Sequence, residues 1–95
     1  MSAYLIARID VTDPERYEEY KALAQVAVAA HGGRYVVRGG EHETLEGDVE
    51  DRRIVVLEFP DTAAARGFYA SAEYTAAKAA RAGAAIGQFV VVEGA

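Results

Sequence analysis

The sequence predicts an α+β fold in which a four-stranded antiparallel sheet carries two helices on one face. Four segments of the 95 residues are rich in β-branched and aromatic residues, and two Ala-rich segments repeat apolar residues at helical spacing. Their order is β-α-β-β-α-β, and right-handed crossovers in that order make strands 1 and 3 central and put both helices on one side. This is the ferredoxin-like arrangement, and the length suits a single domain over residues 1–95.

Composition and charge exclude several classes of protein. The net charge of −5 argues against a nucleic-acid partner, and the absence of cysteine excludes disulfides and thiolate metal sites. No apolar run is long enough for a membrane span and no charged leader precedes the first strand, so we expect a cytoplasmic protein without a membrane partner. Alanine supplies 20 of the hydrophobic residues, so the core is thin and would gain from burial against a second subunit.

Capping signals delimit the first strand and the first helix. Residues 3–11 are apolar at nearly every position, which indicates a strand covered on both faces. Asp13 is the preferred N-cap of the next helix, because it puts Pro14 at the first helical position, where a missing N–H costs nothing. Thr12 is the alternative cap, one residue earlier. The helix ends at His31-Gly32-Gly33, because glycine adopts the left-handed conformation without strain.

The middle of the chain is predicted to form a β-hairpin. Residues 34–38 and 53–59 have strand composition. Gly39-Gly40 indicates a bulge or bend in the first of these strands, and residues 41–45 could continue it. Six of the 15 acidic residues lie between positions 41 and 51 without the spacing of a calcium loop, so we interpret this stretch as a solvated hairpin arm.

The last third of the chain is predicted to contain a broken helix and a final strand. Asp61 is the N-cap, and Gly67 weakens the helix by about 1 kcal/mol relative to alanine. Ser71 can cap a second helical piece, so a kink is expected near Ala70-Ser71. Residues 88–93 form the fourth strand.

The predicted sheet has more apolar surface than its helices can cover. Its strands are apolar on both parities, whereas two helices shield only one face. A second copy of the chain is the simplest cover for the other face. Two sheets stacked in this way would form a dimeric α+β barrel.

Six short segments carry a resemblance to a known family. They are Val11-Thr12-Asp13-Pro14, Ala30-His31-Gly32-Gly33-Arg34, Val37-Arg38-Gly39-Gly40, Leu45-Glu46-Gly47, Val55-Val56-Leu57-Glu58-Phe59-Pro60 and Ser71-Ala72-Glu73-Tyr74. Together they resemble the bacterial domain-of-unknown-function family 1330 of the dimeric α+β barrel superfamily. The resemblance implies the fold and the homodimer, but no activity and no catalytic residue.

The wider superfamily includes cofactor-free monooxygenases, haem-degrading enzymes, lactone isomerases and ligand-sensing domains. The resemblance to this superfamily implies fold, and fold alone does not choose among these activities. Monooxygenase and haem-degrading members often use Asn, Trp and His together. This sequence contains neither Asn nor Trp, which disfavours those two activities.

Charged residues within apolar strands are the first candidate ligand-binding groups. Arg8 and Glu58 are assigned to the barrel interior, and the hairpin brings Arg38 within about two residues of facing Glu58, so these two can form an ion pair. The pair is open to two interpretations. It is a structural plug of the barrel, or Arg38 binds an anionic or carbonyl-bearing small molecule while Glu58 orients it or moves a proton.

The remaining candidates lie on the first helix. His31 is either an ordinary helix-end residue or a proton carrier at the barrel mouth, and Tyr20 faces the predicted site. The predicted ligand-binding residues are therefore Arg38, Glu58, Arg8, His31 and Tyr20, with His31 and Glu58 as catalytic candidates. No spacing suggests a metal or a cofactor.

Three functions remain open at the level of the sequence. The first is a homodimer that binds a small polar or anionic organic molecule between sheet and helices. The second is a cofactor-independent isomerase or monooxygenase-like enzyme. The third is a protein-interaction dimer without a ligand.

Overall fold

A computed structural model describes all 95 residues and confirms the predicted fold class. The elements are β1 (Ala3–Val11), α1 (Pro14–Ala30), β2 (Arg34–Arg38), β3 (Arg53–Phe59), α2 (Thr62–Ala70), α3 (Ala72–Arg81) and β4 (Ala85–Glu93). The strands form one antiparallel sheet in the order β2-β3-β1-β4, so the predicted central pair is correct. None of the helices has the length and apolarity that crossing a membrane requires.

The predicted helix boundaries are confirmed by their caps. The Asp13 carboxylate accepts a hydrogen bond from the Arg16 N–H at 3.2 Å, with proline in the first turn. The Asp61 carboxylate accepts from the Ala64 N–H at 2.7 Å. The Ser71 hydroxyl donates to the last turn of α2 at 2.7 Å and accepts from the first turn of α3 at 3.1 Å. One serine therefore ends one helix and begins the next, as the sequence predicted.

The hairpin departs from the prediction in two places. The register shift in β2 lies between Tyr35 and Val37, not at Gly39-Gly40. Residues 41–45 do not continue the strand, because Gly39 takes a left-handed φ of 69° and turns the chain out of the sheet after its N–H donates to the Ile54 carbonyl. Residues 40–52, named here the acidic arm, connect β2 to β3 without regular secondary structure.

The fourth strand starts earlier than predicted. It begins at Ala85 instead of residue 88, because Gly87 pairs with Ile9 within the ladder and does not end the strand. A Cβ on Gly87 would lie 2.7 Å from the Phe89 ring. Glycine at this position therefore leaves room for the aromatic side chain on the same face of the sheet.

The sheet has two apolar faces, and the helices cover one of them. Alternate residues of β1 and β3 are buried beneath the helices, and the largest fully buried side chains are Tyr74, Phe59, Phe68 and Leu5. The opposite side is named here the open face. In β1 and β3 its residues alternate with the buried ones, and in β4 they pair with Ile6 and Tyr4. The open face comprises Tyr4, Ile6, Arg8, Ile54, Val56, Glu58, Val90 and Val92. The second apolar surface expected from the sequence is thus present.

Candidate functional site

The space between the helices and the sheet contains a small cavity. Its volume is about 30 Å³, which is room for one or two water molecules. Aliphatic residues of β1 and β3 form the floor, and four tyrosines surround the space. They are Tyr17 and Tyr20 of α1, Tyr35 of β2 and Tyr74 of α3. Arg38 is exposed, and Lys21 and Tyr35 are half-buried, as are Arg53 and Phe89. Lys21, Tyr35 and Arg38 mark the mouth between α1 and β2.

Two of the tyrosine hydroxyls form a buried pair. The Tyr20 and Tyr74 oxygens lie 2.7 Å apart, and one hydroxyl donates to the other. Both side chains are buried, with exposed fractions of 6% and 1%. Burial raises the pKa of both hydroxyls above the ordinary value, so they are protonated at neutral pH. The hydroxyl that does not donate to the other is free to donate to a ligand, and neither acts as a base at neutral pH.

Three arginines lie against the aromatic rings of this cavity. The Arg38 guanidinium carbon is 4.2 Å from the centre of the Tyr35 ring, and that of Arg53 is 5.8 Å from the Tyr17 ring. The Arg81 guanidinium carbon is 4.5 Å from the Phe89 ring. Cation–π contacts of this kind stabilise a guanidinium without neutralising its charge. None of these arginines is among the residues that form ion pairs.

Two of these arginines have buried nitrogen atoms without a hydrogen-bond partner. They are Arg53 Nε and Arg81 Nη1. Arg53 has the same parity as the buried residues of β3, which aims it at the helices, and its guanidinium packs against Gly39, where there is no room for a Cβ. An unpaired buried donor costs about 1–3 kcal/mol. Arg53 brings such a donor to the cavity that it lines, whereas Arg81 is not among the lining residues.

The structure separates the residues that the sequence grouped into one site. Arg38 and Tyr20 both line the cavity. The predicted ion pair between Arg38 and Glu58 is wrong, because the two side chains point to opposite faces of the sheet. The bulge after Tyr35 is the reason, because one extra residue moves every later side chain of β2 to the opposite face of the sheet. Arg38 then pairs with Val55, which lies on the helix-covered face.

Glu58 and Arg8 both lie on the open face, each with another partner. The Arg34 Nε donates to the Glu58 carboxylate at 2.6 Å and the Tyr4 hydroxyl donates at 3.3 Å. The Ser2 hydroxyl, the Arg34 guanidinium and the Tyr4 hydroxyl together lower the pKa of Glu58 below its ordinary value. Arg8 donates to the Gln88 side chain at 3.2 Å and pairs with a carboxylate of the acidic arm.

His31 lies at the C-terminal end of α1, outside the cavity. Its Nε2 is 3.1 Å from a carboxylate oxygen of Glu73, and its ring meets the Phe68 ring edge-on with the centres 6.4 Å apart. Neither catalytic candidate from the sequence therefore reaches the tyrosine cavity. No three His, Asp or Glu side chains come together as a group that could hold a metal ion.

Sequence reasoning missed Arg53, which lines the cavity, and Arg81, which packs against the rings of two lining residues, Tyr20 and Phe89. Arg53 shares strand parity with Val55 and Leu57, a signal that places it on the buried face. Arg81 follows Tyr74 by seven residues, which is two helical turns along one face of α3. Both signals are visible in the sequence once the helix-covered face is known.

The fold and the cavity define a ferredoxin-like α+β sandwich with a donor-rich aromatic cavity between its layers. Within that class, the chain belongs to the family described as "Domain of unknown function (DUF1330)", which matches residues 2–95. The resemblance noted in the sequence is thereby confirmed. The sequence matches none of the curated proteins.

Three solved structures share the fold at low sequence identity. A protein of unknown function from Rhodopseudomonas palustris is 18% identical, with a TM-score of 0.74 over 99% of this chain and 82% of that one. SnoaB, a cofactor-independent oxygenase from Streptomyces nogalater, is 16% identical, with a TM-score of 0.71 over 99% and 93%. A dimeric ferredoxin-like protein of unknown function from Jannaschia sp. is 15% identical, with a TM-score of 0.71 over 99% and 100%.

Proposed function

We propose that the protein is a homodimer that binds a small anionic or carbonyl-bearing organic molecule in the tyrosine cavity. The observation that carries the proposal is the buried, unpartnered Nε of Arg53, a residue that lines the cavity. A ligand with an oxygen acceptor would satisfy this donor, and the aromatic walls favour a planar or aromatic body. The void of about 30 Å³ is smaller than such a ligand, so binding displaces the half-buried side chains of Lys21 and Tyr35 at the mouth.

Tyrosine fluorescence provides the direct test. The chain contains six tyrosines and no tryptophan, and four of the tyrosines surround the cavity, so a bound ligand changes the intrinsic emission. We expect saturable binding of benzoate or of benzoylacetone, an aromatic β-diketone. Arg53→Gln should weaken it at least tenfold, because it removes a charged donor that lines the cavity.

The matched control is Arg16→Gln. Arg16 is an exposed arginine outside the cavity that donates to the Ala82 carbonyl at 3.1 Å, so its replacement should leave binding unchanged. Native mass spectrometry of the purified protein adds an independent reading, since a co-purified small molecule would identify the ligand. Ligand binding would be refuted if neither benzoate nor benzoylacetone binds and native mass spectrometry finds no bound small molecule. The function that would then remain is a dimer that contacts only other proteins.

The homodimer is supported by the open face. Ile6, Val56, Val90 and Val92 form an apolar surface that no helix of the same chain covers, and a dimeric protein from Jannaschia sp. has the same fold. Sedimentation at micromolar concentration should give twice the 10.2 kDa mass of the chain. Val56→Asp, in the middle of this face, should shift it to monomer, and a wild-type monomer at that concentration would contradict the proposal.

Cofactor-independent oxygenation is a second candidate function. SnoaB supports it through the shared fold, and a cavity rich in donors stabilises an enolate, the electron-rich form of a substrate that can react with O₂. In such a reaction a CH₂ group becomes a carbonyl, one oxygen atom enters the product and the other leaves as water with both hydrogens. Oxygen uptake with benzoylacetone should then exceed spontaneous oxidation and be lost in Arg53→Gln; uptake at the spontaneous rate leaves only the binding function.

A further inference from the structure

A second apolar depression lies outside the cavity, between α2 and the edge strand β4. This α2–β4 groove has a volume of about 540 Å³ and is lined mainly by apolar atoms of Tyr69, Ala70, Phe89 and Val91. Arg66 stands in its lining and forms no ion pair. The ammonium group of Lys78, likewise outside every ion pair, lies 4.2 Å from the centre of the Tyr69 ring. The groove is therefore apolar with a positively charged border.

The acidic arm has the complementary chemistry. Its two large apolar side chains, Leu45 and Val49, are 88% and 81% exposed, the highest values among the large hydrophobic residues of the chain. Five acidic residues of the arm are free of ion pairs. They are Glu41, Glu43, Glu46, Asp48 and Asp51. The arm therefore presents apolar side chains among negative charges, and nothing within its own chain covers them.

The arm is held in a defined conformation at its base. The Glu50 carboxylate accepts two hydrogen bonds from the Arg52 guanidinium at 2.9 Å and lies 3.2 Å from the Arg8 Nε. Its backbone carbonyl contacts His42 Nε2 at 2.8 Å, and its N–H donates to the Thr44 hydroxyl at 2.8 Å. Docking of the arm on a partner would thus cost less conformational entropy than docking of an unstructured loop.

Within one chain the arm cannot reach the groove. The arm joins β2 to β3 at one edge of the sheet, whereas the groove lies beyond β4 at the other edge and on the helix-covered face. The groove reaches the end of the strands where the arm lies, because Gly87 of the groove pairs with Ile9, which also pairs with Arg53, the first residue after the arm. A two-fold axis parallel to the strands, with open faces stacked about 10 Å apart, therefore sets the β2 edge of one copy opposite the β4 edge of the other.

We infer that the acidic arm of each copy docks in the α2–β4 groove of the other copy. Leu45 and Val49 occupy the apolar groove, and the free carboxylates face Arg66 and Lys78. Six residues out and six back span about 20 Å, which is enough to pass around the edge of a stacked sheet. The inference rests on the proposed homodimer and adds which segment completes it.

The docked arm also bears on the ligand cavity. Leu5 and Phe89 line both the groove and the cavity, so the Phe89 ring is the wall between them. An arm seated in the groove lies against that wall from outside. Each copy thereby closes one side of the binding site of its partner.

Disulfide trapping tests the inference, because the chain has no cysteine and introduced thiols are the only ones present. The variant Leu45→Cys/Ala70→Cys places one thiol on the arm and one in the groove. Mild oxidation should convert most of it into a covalent dimer. The matched control Leu45→Cys/Ala76→Cys carries its second thiol on the exposed side of α3 and should remain largely uncrosslinked, as should each single variant.

The outcomes separate this inference from the dimer proposal. A monomeric wild-type protein overturns both. A dimer in which Ala70→Cys and Ala76→Cys crosslink to Leu45→Cys equally well, or not at all, overturns arm docking alone. Charge reversal is the second measurement: Glu43→Lys/Glu46→Lys should raise the dimer dissociation constant about tenfold, and Arg66→Glu/Lys78→Glu on the same chain should restore it. Unchanged dissociation in the first variant would contradict the inference.

Discussion

The buried hydroxyl pair of Tyr20 and Tyr74 makes a quantitative prediction about stability. Tyr20→Phe keeps the ring and its packing but leaves the Tyr74 hydroxyl, on a side chain only 1% exposed, without its partner at 2.7 Å. A buried polar group that loses its partner costs about 1–3 kcal/mol. The adjacent void of about 30 Å³ can admit a water molecule to the orphaned hydroxyl. We therefore expect the lower part of that range, about 1–2 kcal/mol, for each single Tyr→Phe change.

The double variant distinguishes pairing from packing. With both hydroxyls removed no orphan remains, so Tyr20→Phe/Tyr74→Phe should lie within about 1 kcal/mol of wild type, and the coupling energy should be at least about 1 kcal/mol. The assay is equilibrium unfolding in urea at one fixed protein concentration, because a dimer unfolds with concentration-dependent stability. Single effects that simply add in the double variant, with unchanged urea dependence, would refute the paired geometry.

Three further predictions concern glycines and pH. Gly33→Ala should destabilise the protein by about 1–3 kcal/mol, because the new Cβ would lie 2.6 Å from the ring of fully buried Phe59. Gly67→Ala should instead stabilise α2 by about 0.5–1 kcal/mol in the same urea assay, because a Cβ at this position would meet no atom within 4 Å. Burial raises the folded-state pKa of Tyr20 and Tyr74, so the stability that these hydroxyls contribute is complete below the unfolded pKa of about 10. Above that pH the free energy of unfolding falls by up to about 1.4 kcal/mol per pH unit for each residue. The free energy of unfolding should therefore fall less steeply with alkaline pH in the double Tyr→Phe variant, and identical slopes in the two proteins would contradict the assignment. Hydrogen bonds from Arg52 lower the pKa of Glu50 to about 2, so its carboxylate stabilises the fold above the ordinary pKa of 4.5. This stabilisation is lost as the pH falls toward 2. Glu50→Gln should remove this part of the decrease in unfolding free energy at acid pH, and an unchanged pH dependence would contradict the prediction.

The helices and the strand order could be predicted because their signals are local. Asp13, Asp61 and Ser71 each accept a hydrogen bond from a backbone N–H three residues later, so the cap and its partner lie in one short stretch of sequence. Strand order then followed from handedness and from the number of elements. No long-range contact was needed for either step.

The site depended on information that is not local. The bulge between Tyr35 and Val37 decides which face Arg38 occupies, and a shift of one residue reverses that face. Two glycine pairs flanked the strand, so composition indicated an irregularity without giving its position. Arg53 was missed for a related reason: an arginine in a strand is ordinarily assigned to the solvated side, whereas this one extends beneath Gly39 to the Tyr17 ring.

The single serine between α2 and α3 has a consequence for how the cavity can enlarge. Ser71 has extended backbone angles, with φ −68° and ψ 159°, and Phe68 and Tyr74 on either side of it both line the cavity. This wall of the cavity is therefore formed by two short helices, α2 and α3, that are joined by one extended residue, and not by a continuous helix. A change in the angle between α2 and α3 at Ser71 moves the two aromatic rings apart while every hydrogen bond within each helix stays intact. The space available to a ligand is in this sense adjustable, and the adjustment costs torsion and a capping hydrogen bond at Ser71 instead of helix unwinding.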